Sequence, residues 1–175
     1  QTIVSREVDP LSSAVVTIGS VHGGETHNVI PPVVRMKGTI RSLTLQGLQH
    51  LHERVRRMAV GVAAAHGATA TVEAIGHDYP ATSNDAEAWR HAQAFAGEML
   101  GAAQVRELAP VMGGEDFSYY TERVPGCFLC LGVGNEQLGA TYMVHHPKFL
   151  VDEAALPIGA ALHATFAVET LQRLR

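Results

Sequence analysis

Apolar and polar side chains alternate over residues 34 to 41. Val34, Met36, Gly38 and Ile40 fall on one side, while Arg35, Lys37, Thr39 and Arg41 fall on the other. That period of two predicts a half-buried strand, and Pro31-Pro32 keeps its start off a central ladder. Ala14 to Val21 is a second β-rich run, ending at Gly23-Gly24. The pattern then switches. Thr44 is placed to cap a helix whose apolar positions Leu48, Leu51, Val55, Met58 or Ala59, and Val62 follow a 3.6-residue period. Its other face carries Glu53, Arg54, Arg56 and Arg57, a solvated surface, and Gly67 stands where a closing glycine belongs. Thr69 to Ile75 alternates once more and predicts a third strand. Residues 1 to 8 read as a helix end, closed by Asp9-Pro10. A helix end followed by strand, strand, helix, strand is most of a ferredoxin-like α+β sandwich, incomplete at its N-terminus because the first strand is lacking.

The turn-rich stretch Gly76-His77-Asp78-Tyr79-Pro80 marks a boundary, giving units over residues 1–79 and 80–175. In the second, Asn84 and Glu87 are spaced as a capping box for a helix that buries Ala88, Ala92, Phe95 or Ala96, and Met99 and stops at Gly101. A glycine loop at 112–117, a short helix through Arg123 and an apolar run over 127–133 follow. The run predicts a buried strand. A loop with two histidines then leads into a long apolar helix from about Glu153 to Leu174. Short helices alternating with an apolar strand predict one edge of an α/β sheet domain.

Composition narrows the picture. The chain has 175 residues, 46% apolar and 17% charged, enough for one folded domain or two small ones. A net charge of -4 gives no reason to expect nucleic acid or an anionic membrane as partner. No run is expected to approach the roughly 20 apolar residues of a membrane span. The first residue is Gln1, with no basic and apolar leader after it, so the sequence reads as cut from something longer. Cys127 and Cys130 spell C-x-x-C, but the pair between them is Phe128-Leu129, which predicts two thiols in a buried strand rather than a redox or zinc motif. Without a disulfide framework, a reducing, cytoplasmic setting is expected.

Three places could carry chemistry. His145-His146 lies between an apolar run and an apolar helix, where neutral imidazole could ligate a metal. Asp152 or Glu153 could fix its second ring nitrogen. Neighbouring side chains in an extended segment point to opposite sides, so one of the two histidines is the ligand at most. Gly113-Gly114-Glu115-Asp116-Phe117 lets a ligand approach the backbone closely, and its two carboxylates read better as helix caps than as catalytic bases. Asn28, after Gly23-Gly24, and Arg41 could together hold a carboxylate, against the plainer reading of a turn asparagine and a surface arginine.

Taken in order, these motifs resemble the peptidase M20 family, above all its amidohydrolase branch of hippurate hydrolases, N-acyl-amino-acid amidohydrolases and plant auxin-conjugate hydrolases. The matching pieces are Gly23-Gly24 to Asn28-Val29-Ile30-Pro31, Gly38-Thr39-Ile40-Arg41, Met112 to Phe117, and His145-His146-Pro147 leading to Asp152-Glu153 and Leu156-Pro157-Ile158-Gly159. The resemblance implies a ferredoxin-like lid (dimerisation) domain over residues 1–79, followed by the C-terminal part of an α/β di-metal hydrolase domain over 80–175. It implies His145 as a metal ligand, Asn28 and Arg41 as substrate-carboxylate contacts reaching a partner's site, and Gly113 and Gly114 as pocket lining. Two divalent ions (zinc, manganese, cobalt or nickel) per intact active site, a small N-acyl amino acid substrate and a lid-mediated homodimer follow by the same resemblance. The family's earlier ligand motifs and its Glu-Glu base are not found here, so no residue of this chain is expected to be the catalytic base, and the chain alone is expected to be inactive. The alternative is a non-catalytic dimerisation or binding module.

Overall fold

The two alternating segments near Val15 and Ile40 form strands and pair with each other. β1 (Ala14–His22) and β2 (Arg35–Ser42) are antiparallel, with Val16 opposite Ile40 and Val15 opposite Arg41. The register shifts between Ile18 and Ser20, a bulge that leaves Gly19 without an opposite residue. Gly38 lies opposite Ile18 beside the bulge, where any Cβ would collide with the Thr17 carbonyl oxygen, so the two backbones approach as closely as only glycine permits. The computed structural model describes residues 1–76 and 79–173. His77 and Asp78 of the expected boundary turn, and Leu174 at the expected end of the last helix, lie outside the described residues.

α1 (Leu45–Ala65) begins as its sequence predicts, with the Thr44 hydroxyl oxygen accepting the Gly47 N–H at 3.1 Å. It closes on a Schellman motif: Gly67 has φ 71°, its N–H reaches the Ala64 carbonyl, and the Ala68 N–H reaches Ala63. Leu51, 1% exposed, is the centre of the buried stripe, and Leu48, Val55, Met58 and Ala59 are half-buried beside it. Val62 continues the period but is exposed. Arg54 leaves the expected solvated face. It forms an ion pair through two nitrogens with Glu7, at the end of the helical turn Ile3–Glu7. That bond holds the Glu7 carboxyl below its usual range and raises the guanidinium's affinity for its proton.

The chain divides into two compact units, one of residues 1–82 with 109–119, the other of 83–108 with 120–175. In the second, α2 (Ala86–Leu100) and α4 (Leu156–Arg173) supply the core; α3 (Ser118–Thr121) is a single turn where the chain passes from the first unit to the second. Ala92, Phe95 and Ala96 are buried against Val105, Cys127, Leu162 and Phe166. The Phe95 and Phe166 rings meet edge to face at 5.7 Å, with the buried His91 ring against both.

Several expectations need correction. The strands predicted at 69–75 and 127–133 are not formed, and the one ladder among the described residues is β1–β2. Alternating or continuous apolar residues make a strand only when a second backbone edge accepts the hydrogen bonds, and among the described residues neither segment is paired with one. At Phe128 a side chain does that work. The Asn84 amide accepts the Phe128 N–H at 2.8 Å and donates to its carbonyl at 3.1 Å. Asn84 is therefore not the helix cap. Asp85 is, its carboxylate accepting the N–H groups of Glu87 and Ala88 at 3.0 and 2.8 Å. Cys127 is half-buried and Cys130 exposed, both free thiols. Met99, expected in the core, is exposed.

Against the expectation that no run approaches a membrane span, the segment Glu153–Arg173 is long and apolar enough, by length and composition, to cross a membrane. Alanines and scattered polar residues such as His163 and Glu169 dilute the pattern without lowering its average below that threshold. The same helix packs Leu162 and Phe166 into the core just described.

Candidate functional site

The loop that carries His145 is tied at its base. Asn135 and Ala140 exchange backbone hydrogen bonds at 2.9 Å, and the Asp152 N–H donates to Val133 at 3.0 Å. The Asn135 side chain joins the two ends: its amide donates to the Asp152 carboxylate at 2.8 Å while its oxygen accepts from Gln137 and Leu138. Asp152 also accepts the Ala154 N–H at 3.0 Å, capping the turn before α4. These donors, Asn135 foremost, hold its carboxyl below the usual aspartate range. Asp152 is thus committed to Asn135 and to its own turn, and the expected pairing with His145 is not made.

His145 is exposed, with φ 69°, the only positive φ among the described non-glycine residues. Such a conformation is uncommon for an L residue and marks an imposed geometry. Among the described residues, no hydrogen bond, ion pair or ring contact engages its imidazole. His146 is different. Its ring stacks on Tyr142 with centroids 4.1 Å apart and planes 10° apart, and its Nδ1 accepts the Lys148 N–H at 3.0 Å. No three His, Cys, Asp or Glu side chains converge on a common point among the described residues. The donor set therefore fits one ligand of a metal centre and not a whole centre.

Arg41 and the glycine loop, 71 residues apart in sequence, are neighbours in the first unit: Arg41 Nη1 donates to the Met112 carbonyl. Gly114 packs under Tyr79, where a Cβ would lie 2.9 Å from the ring, whereas Gly113 faces open space. Glu115 Oε1 accepts the Phe117 N–H at 3.3 Å and the Glu115 carbonyl accepts the Ser118 hydroxyl at 2.6 Å. That is the capping role rather than a base.

Asn28, its oxygen bonded by the Thr26 hydroxyl at 3.0 Å, sits in the loop between His22 and Arg35. Arg41 is at the other end of the ladder, about 20 Å along β2 from Arg35 at the rise of an antiparallel strand. The structure does not bring the two together as a joint carboxylate clamp within the hairpin. Burial, then the Asp85 charge, pushes the Cys127 thiol up, the direction opposite to that of an activated C-x-x-C cysteine.

Sequence reasoning missed Asn135, Tyr142 and the Asn84–Phe128 clamp. Gly134-Asn135 with Gly139 four residues on was a turn signal that could have flagged the first. Nothing in the local pattern marks the other two.

Comparison with known proteins extends this. Residues 5–169 match the peptidase family M20/M25/M40. The IAA-amino acid hydrolase ILR1-like 2 of Arabidopsis thaliana is 39% identical over 98% of this chain and 39% of its own length. The N-acetylcysteine deacetylase of Bacillus subtilis is 37% identical over all of this chain and 44% of its own. A Bacillus subtilis crystal structure, described as a dinuclear metal binding peptidase from the M20 family, superimposes with a TM-score of 0.77 at 36% identity. It covers 91% of this chain and 42% of that one. The chain spans about two fifths of the length of the curated relatives it matches.

Proposed function

The chain belongs to the M20/M25/M40 peptidase family, and on that premise we propose that it is the C-terminal part of a metal-dependent amidohydrolase. The enzyme would release a free amino acid and a carboxylate from N-acyl-amino-acid or peptide-like amides. The observation that carries the reading is His145: an exposed, unengaged imidazole in an αL turn, on a loop tied down at both ends. In this reading His145 supplies one ligand. Two divalent ions (zinc, manganese, cobalt or nickel), when bound, provide the Lewis acidity that polarises the amide carbonyl. The remaining ligands and the general base lie outside this chain.

Residues 1–79 act as a ferredoxin-like lid, and 80–175 complete the catalytic domain. Arg41, one nitrogen of which donates to the Met112 carbonyl, offers a guanidinium suited to a substrate carboxylate in the partner's site. Asn28, at the far end of the hairpin, reaches a carboxylate in the partner of a lid-mediated homodimer. Ile18, Val21 and Met36, all exposed on the two-stranded sheet, are the apolar surface available to such a contact. The two free thiols fit a reducing, cytoplasmic setting.

The test compares the 175-residue chain with the protein expressed from a reading frame extended upstream of Gln1. Release of free amine from N-acetyl and indole-acetyl amino acids is measured with and without a chelator. The chain alone should be inert, and the longer protein active and chelator-sensitive. Hydrolysis by the chain alone, or no metal-dependent hydrolysis by the longer protein, contradicts the assignment. Sedimentation of the same samples should give a dimer; a monomer at tens of micromolar removes the lid-dimer part and, with it, the alternative of a dimerisation module.

A further inference from the structure

We propose that Tyr142 and His146 form a side-chain platform that presents His145 to its metal, making His146 a positioning residue and not a ligand. The inference rests on the reading of His145 as a ligand and adds the device that aims it. Four contacts converge on His146. Its ring lies flat on Tyr142, and its Nδ1 accepts the Lys148 N–H. Its own N–H donates to Met143 at 3.2 Å, and its carbonyl accepts from Phe149 at 2.9 Å. Nδ1, engaged by the Lys148 N–H, is taken up inside the turn. The Lys148 ammonium lies 5.9 Å from the centroid of the same Tyr142 ring, close enough for a cation–π attraction.

Every polar group of His146 but Nε2 is therefore used inside the turn. The residue before it in sequence is the one left in the αL region with its ring unengaged. Fixing residue 146 on both backbone and side chain is what makes an otherwise rare φ at residue 145 the resting geometry. The Asn135–Asp152 tie holds the loop's base and the Tyr142–His146 stack holds its tip, the two-level support that a precise ligand requires. A second imidazole adjacent to a ligand would otherwise be a competing donor; the Lys148 bond takes up its Nδ1 and the stack fixes which way its ring faces.

The experiment is NMR on the isotope-labelled chain, with the β1–β2 amide pattern as the check that each variant is folded. The platform is read first. Exchange of the Lys148 amide should rise about tenfold in His146→Ala and return toward the parent rate in His146→Asn, whose side-chain oxygen restores the acceptor. An unchanged rate in His146→Ala overturns the platform. Zinc chloride is then titrated while the histidine rings are followed. The His145 ring should respond before the His146 ring, and Tyr142→Ala should raise the zinc dissociation constant at His145 about tenfold, as loss of an outer support does. Equal zinc binding in Tyr142→Ala, or His146 responding first, also overturns the proposal. If zinc leaves His145 unmoved while Lys148 stays protected, the ligand reading fails and the platform is merely structural.

Discussion

Asn135 and Asp152 decide whether the His145 loop has a fixed base. The Asn135 amide bridges two chain segments 17 residues apart, while its oxygen satisfies two N–H groups of its own turn. In Asn135→Ala these partners turn to water, and exchange of the Asp152 and Ala140 amides should quicken on the order of tenfold with the helices intact. Unchanged protection would show that the backbone pairing suffices. The Asp152 carboxyl, lowered mainly by Asn135 and then by Ala154, adds a pH dependence. Its stabilising contribution is complete above the ordinary aspartate value, about 3.9, and is lost as pH falls through the lower folded value. Asp152→Asn should flatten that acid limb of the unfolding curve, and a limb of undiminished slope would assign it to other carboxylates. His145 stands out in the sequence as a candidate because residue type and flanking pattern both point to it. Asn135 and Tyr142 could not, since each acts on a partner that only the folded loop brings near.

At the scale of elements, periodicity and punctuation together were sufficient where both were local. α1 was readable from Thr44 to Gly67 because its cap, its stripe and its C-terminal glycine all lie within the segment itself. The two strands were readable, 34–41 from its alternation and 14–21 from its β-rich composition, and the structure shows that they are each other's partners. The segments at 69–75 and 127–133 have the composition of strands, but a strand depends on an edge elsewhere, and composition does not show whether that edge exists. The start of α2 was missed by one residue: Asn and Asp stand side by side, and which oxygen turns to the helix depends on Phe128, 44 residues away from Asn84. Asp85→Ala should therefore cost about 1 kcal/mol of stability, as loss of an N-cap typically does, whereas Asp85→Asn should cost little. Equal denaturation midpoints for the parent and Asp85→Ala would refute the cap.

The molecule as a whole exposes 13,902 Å². Two fully separated compact halves of this mass would expose about 10,000 Å², so the excess does not depend on how the units are arranged. Much of it is apolar: no α4 residue is fully buried, Leu162 and Phe166 being only half-buried, and Leu156, Val168 and Leu171 stand in solvent. Surface of that kind is ordinarily covered by further protein, which accords with a chain spanning two fifths of its relatives' length. The order of motifs along the sequence was enough to identify the family. It could not have revealed the tied loop, the stacked His146 or the separation of Asn28 from Arg41, which arise from hydrogen bonds and register. The most direct measurement is the metal content of the protein extended upstream of Gln1, with and without His145→Ala, after desalting. The variant should lose at least one of two bound ions together with amide hydrolysis while its fold persists; full metal content with undiminished hydrolysis would contradict the assignment of His145.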